Sequence, residues 1–426
     1  MAEKKVPELK KGFGKYLGLS FLIGFGFFNM GLMDPLYDTY IPLFLGRYIG
    51  SKAAVGAIMT VDNILQLFLI SFVSIWSDRT RTRIGRRMPF IIVMLPISAI
   101  LFSLFPPMAG SSLFALIVII FLFNIFKTSV RGPIVVLMPD TVPGDYRSEA
   151  NGVINTMAGI GTVAATLLLA RLFDVKESLP FNITSIAIIA AVLILFIFVR
   201  EKLPEKEETE EKKVPVLKSI MQVFRSEDFS VARILIALFV WFTGFQGVIP
   251  FLGLYLVEYM GVSGGNAAMA QGMSGIASVL MAVPAGYIAH RIGRRRYIRT
   301  SLFCLAVILF LIPLSGHIEK AMGLSSVNSL GIFLILMFIF GAFYIGVIVN
   351  SFPMLWQMAA FGNMGIYTGL YYTFSQSASI LSPPITGAII DLAGYPGIFI
   401  FAGICMLVSW FVMAEVKAGE PANAAR

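Results

Sequence analysis

Apolar runs of about 20 residues, each long enough to cross a bilayer as a helix, recur from one end of this chain to the other. They fall at residues 16–45, 54–77, 88–107, 112–136, 150–173, 180–199, 232–259, 266–289, 297–315, 327–352, 364–391 and 395–415. In hydrocarbon every backbone N–H and C=O must find its partner inside the protein, and single runs of this length do so as helices. Of the 426 residues 57% are hydrophobic and 13% charged, and mean hydropathy is +0.83. A soluble domain carries about twice that share of charge. So much apolar surface cannot be hidden in one core, and the expectation is an all-α integral membrane protein with twelve transmembrane helices.

Between the sixth and seventh runs lies a polar stretch, including Glu205–Lys213, that cannot enter a bilayer. It divides the chain into a six-helix half at 1–200, a linker at 201–231 and a second six-helix half at 232–426. Lys4, Lys5, Lys10 and Lys11 precede the first helix, five arginines between 79 and 87 follow the second, and five more between 291 and 299 follow the eighth. The positive-inside rule then puts both termini and the linker in the cytoplasm of a cell (inner or plasma) membrane protein. The net charge of +9 is a topology signal rather than a nucleic-acid footprint. No small-residue cleavage site follows the first run, so a removed signal peptide is not expected. Cys304 and Cys405 lie inside apolar runs and the histidines are two, His290 and His317. Neither a disulfide framework nor a zinc motif is expected, and no phosphate-binding glycine loop is present. These features argue against an enzyme or an ATP-driven pump, and no cofactor is expected beyond a coupling ion.

The halves repeat. Arg83-Ile84-Gly85-Arg86-Arg87 after the second run matches Arg291-Ile292-Gly293-Arg294-Arg295 after the eighth, the mark of a duplicated transporter. The loop resembles the one that joins helices two and three in each half of the major facilitator superfamily, although His290 stands where the second copy usually has Asp. Asp78-Arg79 with Arg83 and Gly85-Arg86-Arg87, followed by Pro89-Phe90, looks like the version in the glycoside-pentoside-hexuronide:cation symporters and their sucrose-transporter-like relatives. Arg131-Gly132-Pro133, the stretch from Leu137-Met138-Pro139-Asp140 to Gly152, Tyr367–Tyr372 and Ser382-Pro383-Pro384 are similar to the same group. The resemblance implies the major facilitator fold and sugar uptake coupled to a cation. It departs at Asn124, where plant sucrose carriers have an Asp.

Ionisable groups at membrane depth cost several kcal/mol unless they face a polar cavity or a partner. The first half holds Asp34 and Asp38, four apart on one helix face, then Asp62, and Lys127 with Arg131, again four apart. At 1.5 Å of rise per residue, Asp34, Asp62 and Lys127 fall within about 6 Å of the bilayer centre. Neighbouring carboxylates do not both ionise cheaply, so a proton or small cation shared among Asp34, Asp62 and Asp38 would neutralise the cluster and couple its movement. Lys127, Arg131 and Asn124 are candidates for substrate contact. Structural ion pairing is the bland alternative for these charges.

The second half offers neutral groups: Trp241, Gln246, Tyr344, Asn350, Tyr371, Tyr372 and Gln376. Aromatic faces cover the C–H patches of a sugar while amides satisfy its hydroxyls; ordinary packing would use the same residues. Gating is expected of Asp78, Arg79, Gly85, Arg86, Arg87, Arg291, Gly293 and Arg294, as ion pairs held in one access state around two tight glycine turns. The expectation is a monomeric secondary transporter importing a glycoside or oligosaccharide with H⁺ or Na⁺. Proton-coupled efflux of an amphipathic compound and a non-transporting sugar sensor or channel are the alternatives.

Overall fold

A computed structural model describes residues 14–143, 146–201, 229–322, 326–358 and 364–416. The four N-terminal lysines named above, Lys417 and nearly all of the 201–231 linker lie outside the described residues. Among the described residues, ten helices are long and apolar enough to cross a membrane: α1 (Gly14–Gly46), α2 (Lys52–Arg79), α4 (Leu113–Thr141), α5 (Ala150–Asp174), α6 (Ser178–Phe198), α7 (Ser230–Tyr259), α8 (Gly264–Ile292), α9 (Arg294–Leu314), α10 (Leu330–Gln357) and α12 (Pro396–Ala414). The shorter apolar α3 (Met88–Ser103) and the more polar α11 (Met364–Ala393) complete the twelve expected. No strand occurs among the described residues, which hold one isolated bridge, Thr82 to Gly85. Large apolar side chains stand on the outside, Phe68 and Phe72 at 65% exposure, Phe114 at 78% and Val283 at 81%. Only lipid makes that surface tolerable.

By contact, the described residues group into two compact units, one within Met1–Tyr37 and Ile64–Glu208, the other within Asp38–Asn63 and Thr209–Arg426. The boundaries cut α1 and α2, whose facing ends belong to the second unit. In the first unit, α1 crosses α5 closely enough that a Cβ on Gly31 would strike the Ala158 carbonyl, and one on Gly161 that of Phe28. Small residues permit this approach, which supplies dispersion contact where lipid gives no hydrophobic drive. Phe102, Phe105, Phe123 and Phe181 form an enclosed aromatic core, with centroids 4.9 Å apart for Phe102 and Phe181 and 5.1 Å for Phe105 and Phe123. Ser185 donates 2.6 Å to the Ala99 carbonyl and ties α6 to α3.

In the second unit α7 packs on α11 and α12, α8 on α10, and α9 on both α10 and α12. The start of α2 lies on α11, with Gly56 against the Pro383 carbonyl and Gly387 against Lys52. In both copies of the repeated arginine loop the glycine takes a positive φ. Gly85 has φ +112° and Gly293 φ +94°, in the left-handed region that a side chain would strain. The glycine register shared by the two loops therefore has a conformational cause, as the sequence led one to expect.

Candidate substrate and coupling site

On α1, Asp34 lies one turn before Tyr37; on α4, Asn124 lies one turn before Lys127. Positions three apart share a helix face, and the two pairs meet. The Lys127 ammonium sits 2.6 Å from Asp34 Oδ1. It also lies over the Tyr37 ring at 4.9 Å and the Phe123 ring at 5.7 Å. Asn124 Nδ2 donates to the Tyr37 hydroxyl at 2.7 Å, and Tyr37 stacks on Phe123. The Lys127 side chain is 9% exposed and the Asp34 side chain 35%, so the acid is the more open of the pair, although the oxygen facing Lys127, Oδ1, is itself buried. Asn124 Oδ1 is buried with no hydrogen-bond partner among the described residues.

One turn further along α4, Arg131 reaches Gln66 Oε1 at 3.5 Å. Gly132 beside it faces Ser74 and the Ile70 carbonyl of α2, a gap no side chain would fit. Asp34, Lys127 and Asn124 thus form one cluster with Tyr37, while Asp38 and Asp62 belong to the second unit. Tyr37 and Gln66 were not singled out from sequence; each lies three or four residues from a residue that was.

The arginine loop of the first unit closes into a network. Arg87 is wholly buried and pairs with Asp78 and with Asp140, the latter at 2.9 Å, and it donates to Ser77. Arg86 pairs with Asp140 at 2.6 Å and with Glu201 at 3.7 Å. Glu201 Oε2 also accepts from the backbone N–H of Arg87 at 2.8 Å, capping the start of α3. Burial disfavours charge on Arg86, yet the hydrogen bond and charge of Asp140, helped by Asp78 and Glu201, outweigh it and hold the guanidinium above its ordinary value. Arg79 is exposed and makes no ion pair among the described residues. In the second loop Arg291 stacks over Tyr287 at 4.5 Å, and Arg294 begins α9. Asp140 and Glu201 were missed as partners, although Asp140 ends the Leu137–Asp140 stretch and Glu201 is the first acid after the sixth run.

Several of the neutral candidates of the second unit already have partners within the protein. Gln246 Nε2 donates to Ser379 Oγ at 3.0 Å, and Asn63 Nδ2 to the Ser379 carbonyl at 3.4 Å. The Asn350 amide bonds the Gly346 carbonyl of its own helix and lies 3.5 Å from that of Ala285 on α8. Tyr344 stacks on Phe245 at 3.8 Å, and Tyr371 shares a hydrogen bond with Ser351. Trp241 is wholly buried, Gln376 half-buried, and Tyr372 is 59% exposed.

The start of α2 carries a further cluster. The Asp391 carboxylate accepts from Ser51 Oγ at 2.8 Å, Lys52 N at 2.7 Å and Ala53 N at 3.0 Å, capping the helix with negative charge where its dipole favours it. Lys52 Nζ pairs with Glu258 at 3.0 Å, and Tyr395 donates to the same carboxylate at 2.6 Å. Nothing local to 51–53 in the sequence signals these acids, which lie 206 and 339 residues from Lys52.

A sequence profile described as Major Facilitator Superfamily matches residues 19–383 and again 267–426. This chain belongs to that superfamily. Two curated proteins match more weakly. A general alpha-glucoside permease of Schizosaccharomyces pombe is 28% identical over 214 residues, 44% of this chain and 38% of the relative. A cis,cis-muconate transport protein of Acinetobacter baylyi is 29% identical over 167 residues, 37% of this chain and 40% of the relative. The chain thus spans about two fifths of the length of each. Among solved structures, the nucleoside transporter NupG aligns over 94% of this chain and all of its own, with TM-score 0.75 and 14% identity. A bacterial homologue of the iron transporter ferroportin aligns over 97% and 99%, with TM-score 0.69 and 14% identity. At that identity the likeness shows a shared fold. The protein is a multi-pass membrane protein of the major facilitator superfamily.

Proposed function

We propose that this transporter is a secondary active symporter that imports a glycoside or oligosaccharide with H⁺ or Na⁺, and that Asp34 is its coupling carboxylate. The observation that carries the reading is the Asp34–Lys127 pair, 2.6 Å apart at membrane depth with its carboxylate still reachable. A proton or Na⁺ arriving at Asp34 competes directly with the Lys127 ammonium. Once displaced from Asp34, that ammonium can turn with the Asn124 oxygen, which has no partner among the described residues, toward a polyhydroxylated ligand, whose C–H faces suit Tyr37 and Phe123. Ion and substrate then each favour the other's binding, which is what symport requires. The sequence resemblance to cation-coupled glycoside carriers and the similarity to an alpha-glucoside permease support the sugar. Asp62 and Asp38 remain secondary coupling candidates, and Arg131, Gln246, Asn350, Trp241, Tyr344, Tyr371, Tyr372 and Gln376 candidates for further substrate contact.

The same proposal has the protein as a monomer without a cofactor, in the cell membrane with both termini cytoplasmic, and has the Asp78–Arg87–Asp140 network as the inner gate. A second reading, an organic dicarboxylate as substrate, is favoured by two cations on one face of α4 and by the muconate transport relative. Purified protein in proteoliposomes, offered labelled saccharides and dicarboxylates under an imposed pH or sodium gradient, separates them. Accumulation of a glycoside above equilibrium is expected; accumulation of dicarboxylates alone would replace the sugar, and no accumulation of any solute under either gradient would remove symport.

A further inference from the structure

α9 begins with a concentration of positive charge in an unfavourable place. Arg294, Arg295, Arg296 and Arg299 occupy its first two turns, with no acid in the first turn. The N-terminal end of a helix dipole repels cations and attracts anions. Arg295 resolves its share by donating to the last carbonyls of α12, Met413 and Ala414, which pins the two helices together. Arg296 and Arg299 make no ion pair among the described residues. Arg299 instead lays its guanidinium over the Trp410 ring at 5.0 Å, and its Nε is buried without an acceptor among those residues. Glu415, the acid at that end of α12, faces Arg233 at 3.8 Å. Arg295, Arg296, Arg299, Thr300 and Trp410 line an open cavity of about 370 Å³.

Donors, charge and helix dipole converge there on one missing partner, an anion with several acceptor oxygens. What borders the cavity says which. Phe303, one turn beyond Arg299, is 47% exposed and packs on Trp410 at 5.9 Å; Phe411, beside Trp410, is 62% exposed. A free phosphate has no use for this apolar margin, whereas a phospholipid fits both parts, its headgroup among the arginines and its acyl chains along Phe303 and Phe411. We infer that the cleft between α9 and α12 is a binding site for the phosphate headgroup of an anionic lipid. Basic pockets between helices at a bilayer surface act in this way, and such a lipid would hold the α9 start against the α12 end.

The test is thermal unfolding of the full chain in detergent, titrated with phosphatidylglycerol, phosphatidylcholine or inorganic phosphate. Phosphatidylglycerol is expected to raise Tm while the other two do not. The rise should be largely lost in Arg296→Gln/Arg299→Gln and kept in Arg83→Gln, an exposed arginine of the other loop. An equal rise in the double variant would overturn the site in favour of diffuse attraction, and an equal rise with inorganic phosphate would overturn the lipid. Should the double variant not fold, Arg299→Lys keeps the charge but loses the planar stacking. Native mass spectrometry should then find that wild type retains phosphatidylglycerol under conditions that strip it from Arg299→Lys, and equal retention would overturn the assignment.

Discussion

Lys127 is an ammonium in a nearly closed space beside an aromatic wall and the Asp34 carboxylate, whose opposite charge makes it tolerable there. Breaking a fully enclosed ion pair costs about 3–5 kcal/mol. Asp34 keeps a third of its surface open, so solvent screens the pair and about 1–3 kcal/mol is the better expectation. Lys127→Ala should lose roughly that much stability, and Asp34→Asn should lose less when Lys127 is already gone. A double-mutant cycle read by thermal unfolding should give a coupling of at least about 1 kcal/mol; a coupling near zero would mean that the two groups are neighbours without dependence. At this scale the sequence was informative. Charge inside an apolar run is rare enough to single out Asp34, Lys127 and Arg131. Tyr37 was not visible, since an aromatic residue in such a run is ordinary until a partner such as Asn124 is found beside it.

Helix ends show where reading from sequence stops. Glycine turns and the repeated arginine loop were legible because backbone conformation and charge are local properties. Gly85 and Gly293 both take a positive φ. The acids that complete these features come from elsewhere in the chain. Asp140 and Glu201 hold Arg86 and Arg87 in the first unit, and Asp391 caps α2 in the second. A carboxylate cap is worth about 1 kcal/mol when exposed. Asp391→Ala should therefore speed hydrogen exchange at the Lys52 and Ala53 amides by about fivefold and leave the middle of α1 unchanged. Unaltered exchange at those amides would show that the cap does not stabilise the helix start.

For the whole molecule, the all-helical membrane-spanning fold and the superfamily could be read from the spacing of apolar runs and one duplicated loop. Both signals repeat over hundreds of residues and so survive errors at any single position. The polar surface of the second half was harder to read: Gln246, Asn350 and Tyr371 were named for their chemistry, and each proves to have a protein partner already. Polar side chains inside a helix bundle satisfy each other first, and sequence does not say which are left over for a ligand. The functional claim therefore concentrates on the carboxylate that competes for two cations.

Uptake of a labelled glycoside into proteoliposomes, driven by an imposed ion gradient, tests that claim most directly when wild type and Asp34→Asn are compared. Coupling at Asp34 predicts that wild type concentrates the sugar whereas the variant, with Lys127 released and no carboxylate to charge, only equilibrates or exchanges it. Full concentrative uptake by Asp34→Asn would contradict it.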